Sequence, residues 1–317
     1  MKFFHIPIIA ILFLILGIVS GLFFLRWKNA LCENKFKFIN SAIVCGKQDV
    51  IAKTSYNETR TKLLNFIKEK KGSEIAVYFR DLVHGPVFSI NELTPFIPAS
   101  LLKLPLALVF MNSAETEPEL LGYKIRYEGQ TSVGGQIFKP IKSAEPNKDY
   151  TIEELLKLML IHSDNASYEV LAEFLFKLPQ RLELRRRVYQ ELGFIDPQNR
   201  TENTIGVSGY ASLFRILHNV SYLDAEGSEK ILGWLSESDF DQGIKAGVPI
   251  STEVSHKFGE RFLENNQVQL HDCGIVYYPG NPYIICIMTR GNNYEELIDT
   301  IKQISKMIHE EVDSRRL

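Results

Sequence analysis

The chain has 317 residues, 45 % of them hydrophobic, with 36 basic against 38 acidic side chains and a formal net charge of −2. That length holds one large domain or two small ones around a substantial core. The balanced charge lacks the basic excess of a nucleic-acid binder, so no nucleic-acid partner is expected.

The N-terminus carries the first element. Ile6 to Leu25 is a run of twenty uncharged, mostly apolar residues. As a helix it measures about 30 Å, the thickness of a bilayer core. It reads as a single-pass membrane anchor or as a signal peptide with a small-residue site at Ser20-Gly21. The anchor is preferred because the apolar run continues to Leu25. Residues 1–28 are therefore assigned as anchor or signal, 29–53 as linker and 54–317 as one domain. Lys35, Lys37 and Lys47 follow the run, so loop charge alone favours that side as cytoplasmic. Cys32 and Cys45 are spaced to close a small loop in an oxidising compartment. Cys273 and Cys286 sit in apolar, strand-like runs and read as small buried hydrophobes. No Cys/His spacing points to zinc, and no cofactor or metal is expected.

From Thr54 the pattern is helical to Lys71-Gly72. Glu74 to Phe79 and Pro86 to Ile90 read as two strands joined at Gly85. A helix then opens at Ala99 or Ser100. Glu128 to Tyr150, with Gly134-Gly135, reads as loop. Thr151 with Glu154 three residues later forms a capping box for the next helix. That helix runs into His162-Ser163-Asp164-Asn165, and another departs over Ala166 to Leu178. Helical runs follow around Arg181 to Leu192 and Ser208 to Asn219. The acidic stretch Glu226 to Asp241 reads as solvated surface. Strand character returns at Val254 to Gly259, Asp272 to Tyr278 and Tyr283 to Thr289, the last two joined at Pro279-Gly280-Asn281-Pro282. An amphipathic helix spans Tyr294 to Val312. Short turns give antiparallel neighbours. The expected fold is α+β: a five-stranded antiparallel sheet flanked by terminal helices, with an inserted all-helical lobe over about 112–240. A cleft between sheet and lobe is the expected ligand site.

Three elements carry chemistry. Ser100 and Lys103 stand one helical turn apart in the apolar run FIPASLLKLPLALVF, where a lysine is costly without a partner. Either Lys103 snorkels to water or it is held beside Ser100 to take its proton, since a serine hydroxyl needs a base to attack and burial brings a lysine towards neutrality. Ser163-Asp164-Asn165 lies at a helix junction. It reads as a helix cap or as a proton relay with an amide-binding asparagine, and Ser89-Ile90-Asn91 repeats the spacing. Lys-x-Gly occurs at Lys70, Lys245 and Lys257. Only Lys257-Phe258-Gly259 lies on a strand run, where glycine permits close backbone approach.

In this order and context the three elements resemble the serine acyl-enzymes of the penicillin-binding protein and class A β-lactamase superfamily, over roughly Thr54 to Val312. The closing segment HDCGIVYYPGNPYIICIMTRG is similar to the last strand pair of that fold. The resemblance implies Ser100 as nucleophile, Lys103 as its base and Ser163 as proton relay. Asn165, Lys257, Gly259 and Glu260 become substrate contacts. Lys257 faces a substrate carboxylate, and the N–H groups of Ser100 and Glu260 form the oxyanion hole. The implied substrate is a β-lactam or a D-alanyl peptide of the cell wall. Such substrates lie outside the cytoplasm, so the domain is expected on the outer face of the cell membrane.

Two features depart from that family. Phe258 stands where a threonine or serine hydroxyl usually helps hold the substrate carboxylate. The stretch Leu192 to Gly209 lacks the Glu-x-x-Leu-Asn type run that activates the deacylating water. Its acids are Asp196 and Glu202, and Glu202 reads either as that base or as a solvated loop charge. Turnover of β-lactams is therefore expected to be slow. The readings left open are a β-lactamase-like hydrolase, a D-Ala-D-Ala carboxypeptidase with slow deacylation, and a non-hydrolytic sensor of muropeptides or β-lactams. His162 and His256 abut the motifs as packed neighbours or as groups titrating near neutrality.

Overall fold

The computed structural model describes residues 13–24, 27, 35–45, 55–85, 87–129, 136–177, 179–192, 204–263 and 266–315. Cys32, Gly134-Gly135, Asp196 and Glu202 lie outside them. Residues 13–24 form an exposed apolar helix. Among the described residues no helix is long and apolar enough to cross a membrane.

The domain opens with α1 (Asn57–Glu69), β1 (Glu74–Asp81) and β2 (Val87–Ile90). A 3₁₀ turn, Ala99–Leu102, leads into α2 (Lys103–Ala114). The lobe continues with β3 (Lys124–Tyr127), β4 (Lys148–Thr151), α3 (Ile152–Ile161), α4 (Asn165–Phe176), α5 (Pro179–Glu191), α6 (Val207–His218) and α7 (Ala225–Ser236). The chain closes through β5 (Val254–Phe262), β6 (Val268–Val276), β7 (Tyr283–Gly291) and α8 (Tyr294–Ser314). The five-stranded sheet has the order β2-β1-β7-β6-β5 with every pair antiparallel. The expected α+β architecture is the one found.

The sheet is covered on both faces, and the period-two alternation of a strand sorts its side chains between two cores. On β7, Ile284, Cys286 and Met288 pack with the helical lobe, whereas Tyr283, Ile285 and Ile287 pack with Leu297, Ile301, Ile304 and Ile308 of α8. Every residue of β6 is buried, as a central strand with two covered faces requires.

Three details differ from the sequence reading. Lys124–Tyr127 and Lys148–Thr151 pair as a small antiparallel ribbon at the ends of the expected loop. Their shortness and charges hid it: Lys124–Tyr127 alternates over only four residues, and Lys148–Thr151 has no apolar alternation. The acidic stretch after Asp224 contains α7, which buries Ile231, Leu232, Trp234 and Leu235. Its acids serve as helix cap and tether: Asp224 accepts from Gly227 N, and Glu229 accepts from the backbone N–H groups of Lys37, Phe38 and Ile39. Cys273 and Cys286 form a disulfide. The Val276–Tyr283 pair beside the turn sets a register in which the two cysteines stand directly opposite one another. Cys45 is disulfide-bonded as well. The capping box is as expected, with Glu154 N donating to Thr151 Oγ1 and Thr151 N to Glu154 Oε2.

Candidate active site

The site forms where the 3₁₀ turn, the α3–α4 junction and β5 meet. Two non-glycine residues there occupy the left-handed region, Ala99 at φ 50° and Ser163 at φ 53°. Such conformations are costly and persist only where surrounding contacts hold them. Ser163 is held by its neighbour. The Asp164 carboxylate caps α4 through Ala166 N and Ser167 N, and also accepts from Ser143 Oγ, Ala144 N and Ser167 Oγ. The helix-cap reading of Ser163-Asp164-Asn165 holds for Asp164, and the same junction sets Ser163 and Asn165 beside Lys103.

Lys103 does not snorkel. It is 2 % exposed, and its Nζ donates to Ser163 O at 2.6 Å and to Asn165 Oδ1 at 2.7 Å. Ser100 Oγ and Ser163 Oγ each lie 3.1 Å away. The two shortest partners are carbonyl oxygens that can only accept. A neutral amine has two N–H groups for them and one lone pair left for a hydroxyl proton. The geometry thus suits an uncharged Lys103 that receives the Ser100 proton. Burial pushes its pKa down to about 7 against the opposing pull of Asp164 and Glu260.

Lys257 is buried completely. Its Nζ donates to Ser163 Oγ at 2.9 Å and to Phe258 O at 3.0 Å. Burial first, and the neighbouring Lys103 second, push its pKa well below the ordinary lysine range. It holds the Ser163 hydroxyl and is not among the residues that line the cleft. Its Nζ lies 4.3 Å from the Phe258 ring centroid. Phe258 stacks on Phe240 and meets Phe138 edge-on, at 4.3 and 5.2 Å between centroids.

Gly259 is required by the packing of the protein itself. A Cβ there would stand 2.8 Å from Pro98 O and 3.0 Å from Leu101 N, so the turn bearing Ser100 rests directly on β5. Glu260 follows, with Oε1 accepting from Phe138 N at 2.7 Å and Oε2 from Tyr294 Oη at 2.6 Å.

A cleft of about 500 Å³ opens above these groups. Ser100, Lys103, Asn165 and Glu260 line it, together with Gln136, Ile137, Tyr168, Arg261 and Phe262. The last five were not singled out from the sequence. Tyr168 had a signal, since it stands one helical turn after Asn165. Gln136 had none: it donates to Ser163 O at 2.9 Å from a loop 27 residues earlier. His162 and His256 bond Asp239 and Asp272 at 2.7 and 2.8 Å, and neither lines the cleft. Among the described residues no group of three or more His, Cys, Asp or Glu is placed to hold a metal ion.

The family described as "Beta-lactamase enzyme family" matches residues 58–312. Among solved structures, a PBP-A mutant in acyl-enzyme complex with penicillin G superposes with a TM-score of 0.67 at 18 % identity, covering 84 % of this chain and 100 % of that one. A beta-lactamase from Chitinophaga pinensis DSM 2588 gives 0.69 at 19 %, covering 81 % and 100 %. A class A beta-lactamase from Mycobacterium abscessus gives 0.68 at 22 %, covering 80 % and 99 %. Identities this low speak to the fold. No curated protein sequence matches the chain.

Proposed function

Since the chain belongs to the beta-lactamase enzyme family, we propose that it is a serine hydrolase working through an acyl-enzyme on Ser100. The observation that carries this reading is the Lys103 amine, buried, 3.1 Å from Ser100 Oγ, with its N–H groups committed to two carbonyl oxygens. Ser100 Oγ attacks the substrate carbonyl as its proton passes to Lys103 Nζ. The N–H groups of Ser100 and Glu260 receive the oxyanion, a role supported by the position of both residues on the cleft wall. Lys103 returns the proton through Ser163 Oγ to the leaving group, the C–N or C–O bond breaks, and the acyl ester remains on Ser100. Water then releases the acid.

The substrate is an acyl amide or ester, the class to which β-lactams and D-alanyl peptides belong. A domain held outside the cytoplasm by an N-terminal membrane helix meets such compounds there, and the exposed apolar helix over residues 13–24 supports the anchor. Slow deacylation goes with it, because no acid in the described part of the cleft other than Glu260 lines the site, and both Glu260 oxygens are already engaged.

The test is intact-mass spectrometry of the full chain in detergent, with benzylpenicillin and with an uncharged activated phenylacetyl ester. A persistent adduct on Ser100 with at least one reagent, absent in Ser100→Ala, is expected. An adduct that survives Ser100→Ala, or none with either reagent, overturns the reading.

Gly259→Ala gives a second check. Its methyl group must displace the turn that carries Ser100, a strain of about 1–3 kcal/mol. A shift of that turn of about 1 Å is expected to slow acylation by about 10²-fold. Stopped-flow acylation, measured below the variant's melting temperature, reads the effect, and an unchanged rate would separate Gly259 from the positioning of Ser100.

A further inference from the structure

We propose that the leaving-group side of the site is built against a carboxylate, so that the preferred substrate is an amide or ester whose leaving group is uncharged. This inference rests on the acyl-enzyme reading above. The leaving group must lie by Ser163, the residue that returns its proton. The lysine of β5 beside Ser163 is Lys257, which is buried completely, with Nζ committed to Ser163 Oγ and Phe258 O. Phe258 is 1 % exposed and its ring lies against that Nζ.

Phe138 closes the wall from the opposite lobe. Its ring meets both Phe258 and Phe240, and its N–H donates to Glu260 Oε1. A carboxylate seeking Lys257 would have to part three packed rings and would stand near the Glu260 carboxylate. An anion in such a place loses its water without gaining a partner. Arg261 is the exposed cation among the residues lining the cleft, but it stands four residues beyond Lys257 along an extended strand, roughly 13 Å away. With the carbonyl between Ser100 and Glu260, Arg261 and Phe262 flank the acyl side. Phe258 and Phe138 are thus the residues that set specificity on the leaving-group side.

A matched pair of substrates tests this on the full chain in detergent: phenylacetylglycyl thiolactate with its free carboxylate, and the methyl ester of the same compound. Each acylation rate is normalised to hydroxide hydrolysis of that compound. The methyl ester is expected to acylate Ser100 faster by about tenfold or more, as a site that rejects one partner by desolvation would require. In Phe258→Thr the ratio is expected to move towards the free acid by a similar factor. Equal or faster reaction of the free acid with the unmutated chain overturns the inference while leaving the acyl-enzyme reading in place, and loss of that preference in Arg261→Gln would locate the anion site on the acyl side instead. No Ser100 adduct with either compound overturns both.

Discussion

Replacing Lys103 by alanine is expected to slow acylation of Ser100 by a factor of about 10² to 10⁴, the range that a positioned general base contributes. The argument starts from acceptor geometry. Ser163 O and Asn165 Oδ1 take the two N–H groups of a neutral amine, which turns the remaining lone pair to the serine hydroxyls. Lys103→Arg should fare no better than alanine, because a guanidinium keeps its proton at every working pH. Rates from stopped-flow fluorescence or from mass-resolved adduct formation give the comparison. A loss below about fivefold would assign the proton transfer to another group.

The pH dependence carries the same signature with a defined sign. Lys103 is active when neutral, and its pKa is pushed down to about 7. Acylation should therefore be slow in acid, rise through about pH 7 and level off above it, and Lys103→Ala should lose that inflection. Stability is linked to the same shift. The unfolded lysine titrates near 10.4, so between about pH 7 and 10.4 the unfolded chain binds more protons than the folded one. Burial of Lys103 weighs fully against folding below about pH 7, and that burden lifts as pH rises through the window. Melting curves of the parent and of Lys103→Ala across this range should show the parent gaining relative to the variant. A parent that loses ground as pH rises would contradict the direction assigned to Lys103.

Much of this is legible in the sequence, and the reasons are local. Ser100 and Lys103 are one turn apart, so their contact follows from helical geometry alone. The strands and the last hairpin follow from short apolar runs on either side of Pro279-Gly280-Asn281-Pro282. What stayed hidden depends on contacts between distant segments. Nothing near Lys257 in sequence says that Phe138, 120 residues earlier, reaches the ring of Phe258 and helps close the lysine off. Gly259 was readable as a point of close approach, but the partner is Pro98 and Leu101 of the same chain. The Cys273–Cys286 bond needed the strand register, and the α7 helix was masked by the acids that cap and tether it.

Asp164 is the place where fold and chemistry depend on the same atoms, and Asp164→Ala is expected to destabilise the domain by about 3 kcal/mol or more. The carboxylate is 2 % exposed and accepts from five donors. Losing the N-cap of α4 costs about 0.5–2 kcal/mol. Leaving the buried Ala144 N–H and the Ser143 and Ser167 hydroxyls without their acceptor costs about 1–3 kcal/mol for each group that finds no substitute. Urea unfolding measures the sum, and a change under 1 kcal/mol would mean that the junction repacks freely. Activity distinguishes a mere loss of stability from a role at the site. Asp164 opposes the burial that lowers the Lys103 pKa. Removing its charge should move the acylation midpoint below about pH 7 in whatever fraction remains folded. Asp164→Asn, which keeps the shape and loses the charge, should show the same movement with a smaller loss of stability. A midpoint that stays in place in both variants would leave Asp164 a structural cap with no electrical hold on Lys103, and the strained backbone of Ser163 would then be its whole contribution to the site.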